Sequence, residues 1–133
     1  MTPGLPRILV VDDEKGPRMA IAWILQINKV AECVLCSSGQ QACDALKESP
    51  DIKVAIVDLR MADALGTHIT RQLKTIRPNL LAILHTGHND LANVGLAEDE
   101  ALFCATLPKP ASSNKEVSDL VARVLSQAQT IAD

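Results

Sequence analysis

Five short apolar runs alternate with segments of helical period along the whole chain, and that alternation restricts the possible folds more than any single motif. The runs are Ile8–Val11, Val30–Leu35, Val54–Val57, Leu80–Leu84 and Phe103–Leu107. They lack polar alternation, as strands covered on both faces do. Pro17 falls in a first helical turn, followed by Ala20, Ile21, Ile24 and Leu25 at core spacing. Ser38 with Gln41 makes a capping box, and Ala42, Ala45 and Leu46 then face inward. Ile69, Leu73 and Ile76 mark a third helix that Pro78 stops. Ser113 and Glu116 cap the last helix, whose stripe is Val117, Leu120, Val121, Val124 and Leu125. The segment 91–101 between them has Gly95 at its middle and only a partial stripe, so a fourth helix there is expected to be the most mobile element. Five β-α units predict a parallel sheet with helices on both faces and right-handed connections, an α/β fold. Periodicity does not set the strand order.

At 133 residues with 47% apolar content, the chain is expected to be one domain spanning 1–133. A net charge of -3 supplies no basic stripe for nucleic acid, and no apolar run reaches the roughly 18 to 20 residues that span a membrane. The opening MTPGLPR lacks the apolar region of a secretion signal, which makes the cytoplasm the expected location. Cys33 and Cys36 have C-x-x-C spacing, yet on a strand residues three apart point to opposite faces. They, with Cys43 and Cys104, are read as buried, reduced thiols rather than metal ligands.

Ligands of parallel sheets gather beyond the carboxyl ends of the strands. The first expected strand runs into Asp12 and Asp13, the third into Asp58, the fourth into Thr86 and the fifth into Lys109. Carboxylates brought this close repel one another, and a divalent cation relieves the repulsion. Mg²⁺ favours a few carboxylate oxygens and keeps waters that a phosphoryl group can replace. Three acids, a hydroxyl and an ammonium therefore suit phosphoryl transfer, where positioning and charge neutralisation dominate.

The segments ILVVDDE, VAIVDLRMADALG, ILHTG and LPKP, in this order and spacing, resemble the receiver domain of a two-component response regulator of the CheY-like superfamily. The resemblance covers nearly the whole chain and implies a flavodoxin-like (βα)5 fold with strand order 2-1-3-4-5. It implies Asp58 as phosphoacceptor, Asp13 and, through water, Asp12 as Mg²⁺ (or Mn²⁺) ligands, and the Arg60 carbonyl completing the protein ligands. Thr86 would hydrogen-bond a phosphoryl oxygen, Lys109 would pair with the phosphoryl group, and the Lys109–Pro110 bond would be cis. Glu14 is then an exposed acid where the first helix begins.

The chain departs from the family at two places. Thr106 stands where the family usually has the Tyr or Phe that follows the threonine's movement, with Phe103 nearby as a core residue or a substitute. Met61-Ala62 replaces the usual Met-Pro, which predicts a looser loop, while Gly66 is retained. Arg60 and His88 occupy the two positions that tune phosphoryl lifetime, and TGHND resembles the TGHGD of nitrogen-regulation-type activators. A transition-metal pair of His85 and His88 with Asp90 is disfavoured.

The resemblance implies a sensor histidine kinase or phosphotransfer domain as partner, and a homodimer through the expected fourth helix, fifth strand and fifth helix as a further possibility. Met19 and Trp23, neighbours on the outer side of the first helix, are candidates for kinase docking, with partial burial against the last helix as the alternative. Only 24 residues follow Lys109, which is the basis for expecting no output domain in this chain. The leading reading is a phosphorylation switch and not a turnover enzyme. A phosphorylation-independent pseudo-receiver is the alternative, favoured by Thr106. An Asp-nucleophile phosphohydrolase of haloacid dehalogenase type is disfavoured, because its D-x-D pattern is replaced here by Asp12-Asp13-Glu14.

Overall fold

The computed structural model describes residues 4–62, 64–87, 102–110 and 113–132. Among the described residues there are five strands, β1 (Arg7–Val11), β2 (Glu32–Cys36), β3 (Val54–Asp58), β4 (Leu81–Thr86) and β5 (Ala105–Pro108). Four helices among them pack around the strands: α1 (Lys15–Ile27), α2 (Gly39–Glu48), α3 (Gly66–Ile76) and α4 (Asn114–Ala132). All neighbouring strands are parallel, in the order β2-β1-β3-β4-β5. The helix expected over 91–101 lies outside the described residues.

The unbroken apolar runs of β1, β3 and β4 become strands covered on both faces, whereas the edge strands β2 and β5 carry the exposed Leu35 and Thr106. Ile8, Val10, Val54, Ile56, Ile83 and Leu107 face α1 and α4, meeting Ile21, Leu25, Val117, Val121 and Val124. Leu9, Val11, Ala55 and Val57 face α2 and α3, meeting Ala42, Leu46, Ile69 and Leu73. Cys33 packs against the first core and Cys36 belongs to the second, so the two thiols do lie on opposite faces. Burial pushes Cys33 up to about 12 and Cys36 to about 11, leaving both as inert thiols. Of the four thiols expected to be buried, only Cys36 is so, Cys33 and Cys43 being half-buried and Cys104 exposed.

Three local features also depart from the sequence reading. Ala20 is exposed, because the inward face of α1 is centred on Ile21 and Leu25 and a methyl one step away gains little from burial. β2 begins at Glu32 and β5 at Ala105, each two residues later than expected. Lys29 takes a left-handed conformation (φ 56°), and the N–H groups of Val30 and Ala31 donate back to Leu25 O, closing α1 before a strand can start. At the start of α2, Ser38 Oγ accepts from Gln41 N at 3.2 Å as a capping box requires, but Gln41 Oε1 takes the Ser37 N–H instead of its partner's. Ser113 Oγ accepts from Glu116 N at 3.1 Å.

β1 sits between β2 and β3, so successive connections leave it in opposite directions and open a crevice at the carboxyl ends of β1 and β3. That crevice holds the acids.

Candidate functional site

β1 is buried to its last residue and continues directly into Asp12, whose side chain is almost fully enclosed. Asp12 Oδ1 accepts the Glu14 N–H at 2.9 Å, a tight turn that leads into α1 with Glu14 exposed as its N-cap. From the first turns of α1, Arg18 Nη1 reaches back to Asp12 O at 2.8 Å. β3 ends on Asp58, only 5% exposed. β5 delivers Lys109, whose N–H bonds to Thr86 O at 3.0 Å and whose peptide to Pro110 is cis, as expected.

Lys109 Nζ lies 3.0 Å from Asp12 Oδ2 and 3.2 Å from Asp58 Oδ1, joining the two buried acids through one ammonium. Asp13, partly buried, accepts the Ala62 N–H at Oδ2, 2.7 Å away. Asp12, Asp13 and Asp58 each offer a carboxylate oxygen within 4.8 Å of the others, the only such potential metal-binding group among the described residues. Thr86 Oγ1 is buried and finds no hydrogen-bond partner among them.

Gly66 makes the arrangement possible. Its N–H donates to Leu59 O at 2.6 Å, and a Cβ there would sit 2.2 Å from the Asp58 carbonyl oxygen. The family's glycine is therefore required here by lack of room beside the backbone of Asp58. Arg60 pairs with Leu65 in an antiparallel bridge that turns the chain from β3 toward α3, with its side chain exposed.

Burial is the main cause of a raised Asp58, to about 6, and the Asp12 charge adds to it while Lys109 opposes it. Burial alone would lower Lys109, but the Asp12 and Asp58 carboxylates together raise it. His85, in register with Asp58 on β4, is buried and lowered to about 4 by that burial and by Lys109, so it is a neutral imidazole near pH 7. A hard divalent cation fits this donor set: three clustered carboxylates, one of them driven toward protonation by burial and its neighbours. The residues that would hold it are Asp12, Asp13 and Asp58, and the positive charge it supplies would offset theirs.

The Asp58 shift has a stability sign. Folded Asp58 keeps its proton where the unfolded chain, near 3.8, has lost it, so its contribution favours folding at low pH and disappears as pH rises through about 6. His85 acts oppositely, its contribution being lost as pH falls from 6.5 through about 4. Asp58→Asn separates the two. Without metal, the variant is expected to exceed the parent in stability by about 1–3 kcal/mol at about pH 8, a gap that closes below about pH 4. Urea unfolding at both pH values measures this, and an unchanging gap would remove Asp58 as its source.

The remaining sequence candidates are dispersed. Thr106 is exposed on β5 and Phe103 is partly buried just before it. His88 and Asp90 lie outside the described residues, so the proposed tuning position and the disfavoured histidine pair have no geometry here. Met19 and Trp23 are 48% and 59% exposed, and Trp23 stands between grooves of about 530 and 280 Å³ toward α4 and β2. Trp23 thus lines a groove together with Asn114, Lys115, Ser118 and Asp119 of α4 while most of its surface stays exposed, which leaves both the docking reading and the partial-burial reading open. Sequence reasoning missed Arg18 and the Ala62 N–H. Arg18 was findable as a cation one turn beyond the acids, whereas a backbone N–H leaves no signal in side-chain chemistry.

Residues 8–122 match the family profile of the response regulator receiver domain. The DNA-binding transcriptional regulator NtrC of Proteus hauseri is 34% identical over 107 residues, covering 77% of this chain and 21% of that protein. The transcriptional regulatory protein FixJ of Rhizobium meliloti is 34% identical over 84 residues, 62% of this chain and 39% of that protein. The chain thus spans well under half the length of these curated relatives. A response regulator receiver domain protein from Clostridium thermocellum superposes with a TM-score of 0.83 at 30% identity, covering 96% of this chain and 99% of that one.

Proposed function

This chain belongs to the response regulator receiver domain family, whose members are phosphoryl-accepting signalling domains, and on that premise we propose that Asp58 accepts a phosphoryl group from the phosphohistidine of a sensor kinase or phosphotransfer domain. A carboxylate oxygen of Asp58 attacks phosphorus, the P–N bond breaks with its electrons going to the departing imidazole, and an aspartyl phosphate remains. With its value raised only to about 6, Asp58 is largely ionised at neutral pH and can act as nucleophile. Lys109, already 3.2 Å from Asp58 Oδ1, shifts onto the incoming phosphoryl oxygens, and the Thr86 hydroxyl donates to another of them. Asp13, Asp58 and the Arg60 carbonyl, with Asp12 through water, would hold Mg²⁺ or Mn²⁺. When bound, the ion supplies positive charge to the transferring group.

The observation that supports this reading is the buried Thr86 hydroxyl, without a partner among the described residues, on the strand residue whose carbonyl accepts the N–H of Lys109, the ammonium paired with Asp58. Phosphorylation then biases a two-state equilibrium and changes which partner binds. The domain modifies itself rather than turning over substrate. Cytoplasmic location fits the absence of any membrane-crossing helix among the described residues, and 1–133 acts as one receiver unit. The NtrC relatives and the TGHND segment favour a transcription activator as the output. A dimer would use β5, α4 and the segment around 91–101.

Met19 and Trp23 form the proposed kinase contact. One assay tests both the site and the contact, reading intact mass. Acetyl phosphate with Mg²⁺ is expected to add one phosphoryl group, and a chelator to prevent it. Trp23→Ala is expected to slow transfer from a phosphorylated kinase at least about fivefold while acetyl phosphate labelling is unaltered. Exposed Thr106, with no ring to follow Thr86, favours the pseudo-receiver as the second reading. No adduct, together with no amide shifts on adding beryllofluoride, would make that second reading the better one.

A further inference from the structure

The connection from β3 to α3 is a small antiparallel hairpin anchored at its base. Met61 N–H donates to Ala64 O at 3.2 Å and Gly66 N–H to Leu59 O at 2.6 Å, with Arg60 and Leu65 bridged between them. Met61 is buried in the core beneath, and Gly66 is pressed against the Asp58 carbonyl. Near the tip, the N–H of Ala62 points across to the β1–α1 turn and donates to Asp13 Oδ2 at 2.7 Å. Its acceptor is fixed as well, since the neighbouring Asp12 is tied by the Cys36 O, Glu14 N and Arg18 Nη1 bonds.

A hydrogen bond from a fixed donor to a charged acceptor is short, directional and stronger than a neutral one. It also settles which way the carboxylate turns. We infer that the Ala62 backbone N–H is a positioning group for the divalent ion: it holds Asp13 by Oδ2 and leaves Oδ1 for the metal, so that metal affinity depends on the β3–α3 hairpin. The inference rests on the metal reading of the acidic cluster and deepens it. Donors behind metal-bound side chains commonly change affinity by about 10- to 100-fold when removed. The donor exists because residue 62 is not proline, which has no N–H. Ala62 acts through Asp13 and touches no reacting atom.

The test is Mn²⁺ binding to the full chain, followed by the electron paramagnetic resonance of the free ion. Ala62→Pro is expected to weaken Mn²⁺ about tenfold, and Ala62→Gly, which keeps the N–H, by less than about twofold. Because proline also stiffens the hairpin, the unmodified chain supplies a second measurement. Its Ala62 amide proton should remain protected from exchange through a Mg²⁺ titration to saturation. Deprotection of that amide as Mg²⁺ saturates, unchanged Mn²⁺ affinity in Ala62→Pro, or an equal loss in both variants would each overturn the inference while leaving the proposed function intact. Failure of the unmodified chain to bind Mn²⁺ at all would overturn the metal reading, and the inference with it.

Discussion

Lys109→Ala is expected to slow Mg²⁺-dependent labelling by acetyl phosphate about 100-fold or more, and Asp58→Asn to stop it. Removing one preorganised donor from a site where charge develops typically costs about 100- to 1000-fold in rate. Lys109 is such a donor, with Nζ 3.0 Å from Asp12 and 3.2 Å from Asp58 and its side chain only 21% exposed. Its loss has a second effect, separable by pH. Lys109 is what restrains the rise of Asp58 to about 6, so without it the carboxyl climbs further and less of it is ionised at neutral pH. Part of the lost rate should therefore return on going to about pH 9, a recovery absent in Asp58→Asn. Time courses of intact mass at saturating Mg²⁺ measure both effects. Lys109→Ala labelled within about threefold of the parent would take the ammonium out of the proposed chemistry.

Gly66→Ala is the second large effect, and its expected cost is about 2–4 kcal/mol of stability together with most of the labelling activity. The new methyl carbon would lie 2.2 Å from Asp58 O and 3.0 Å from Leu59 Cα, all backbone, so no side chain can swing aside. Either the hairpin lifts, breaking the 2.6 Å bond from Gly66 N to Leu59 O, or the end of β3 moves and carries Asp58 with it. Both routes damage the site. Gly16 on α1 is the matched control, since nothing lies within 4 Å of its would-be Cβ. Alanine there should be neutral or gain up to about 1 kcal/mol from helix propensity. Urea unfolding of the two variants gives the comparison, and a loss below about 1 kcal/mol at Gly66 would mean that the hairpin yields more easily than its bonds suggest.

Much of the fold was legible because parallel strands buried on both faces leave unbroken apolar runs, and Ile8–Val11 and Val54–Val57 are of this kind. The site was legible because strands end at fixed places: once β1, β3, β4 and β5 are located, Asp12, Asp58, Thr86 and Lys109 must share one edge. What escaped the sequence depended on backbone geometry. The left-handed turn at Lys29 delays β2, although lysine carries no mark of such a conformation. The Ala62 N–H is common to every residue except proline, and only its aim at Asp13 gives it significance. Ser37 intercepting Gln41 is likewise a choice between two adjacent, chemically similar donors. Helical spacing admitted Ala20 to the core face, but that face is centred on Ile21 and Leu25, and Ala20 lies about 100° round the axis from Ile21 on the side away from Leu25.

Trp23 stands exposed on α1 and is the one tryptophan of a chain that has no tyrosine. The near-ultraviolet emission of this protein therefore originates from a single indole on the outer face of its first helix, beside grooves and away from the acids. An optical titration will register whatever settles on that helix and will be nearly blind to events in the crevice. The chain thus carries its own spectroscopic label for encounter, while the chemistry that follows encounter must be observed by mass or by magnetic resonance.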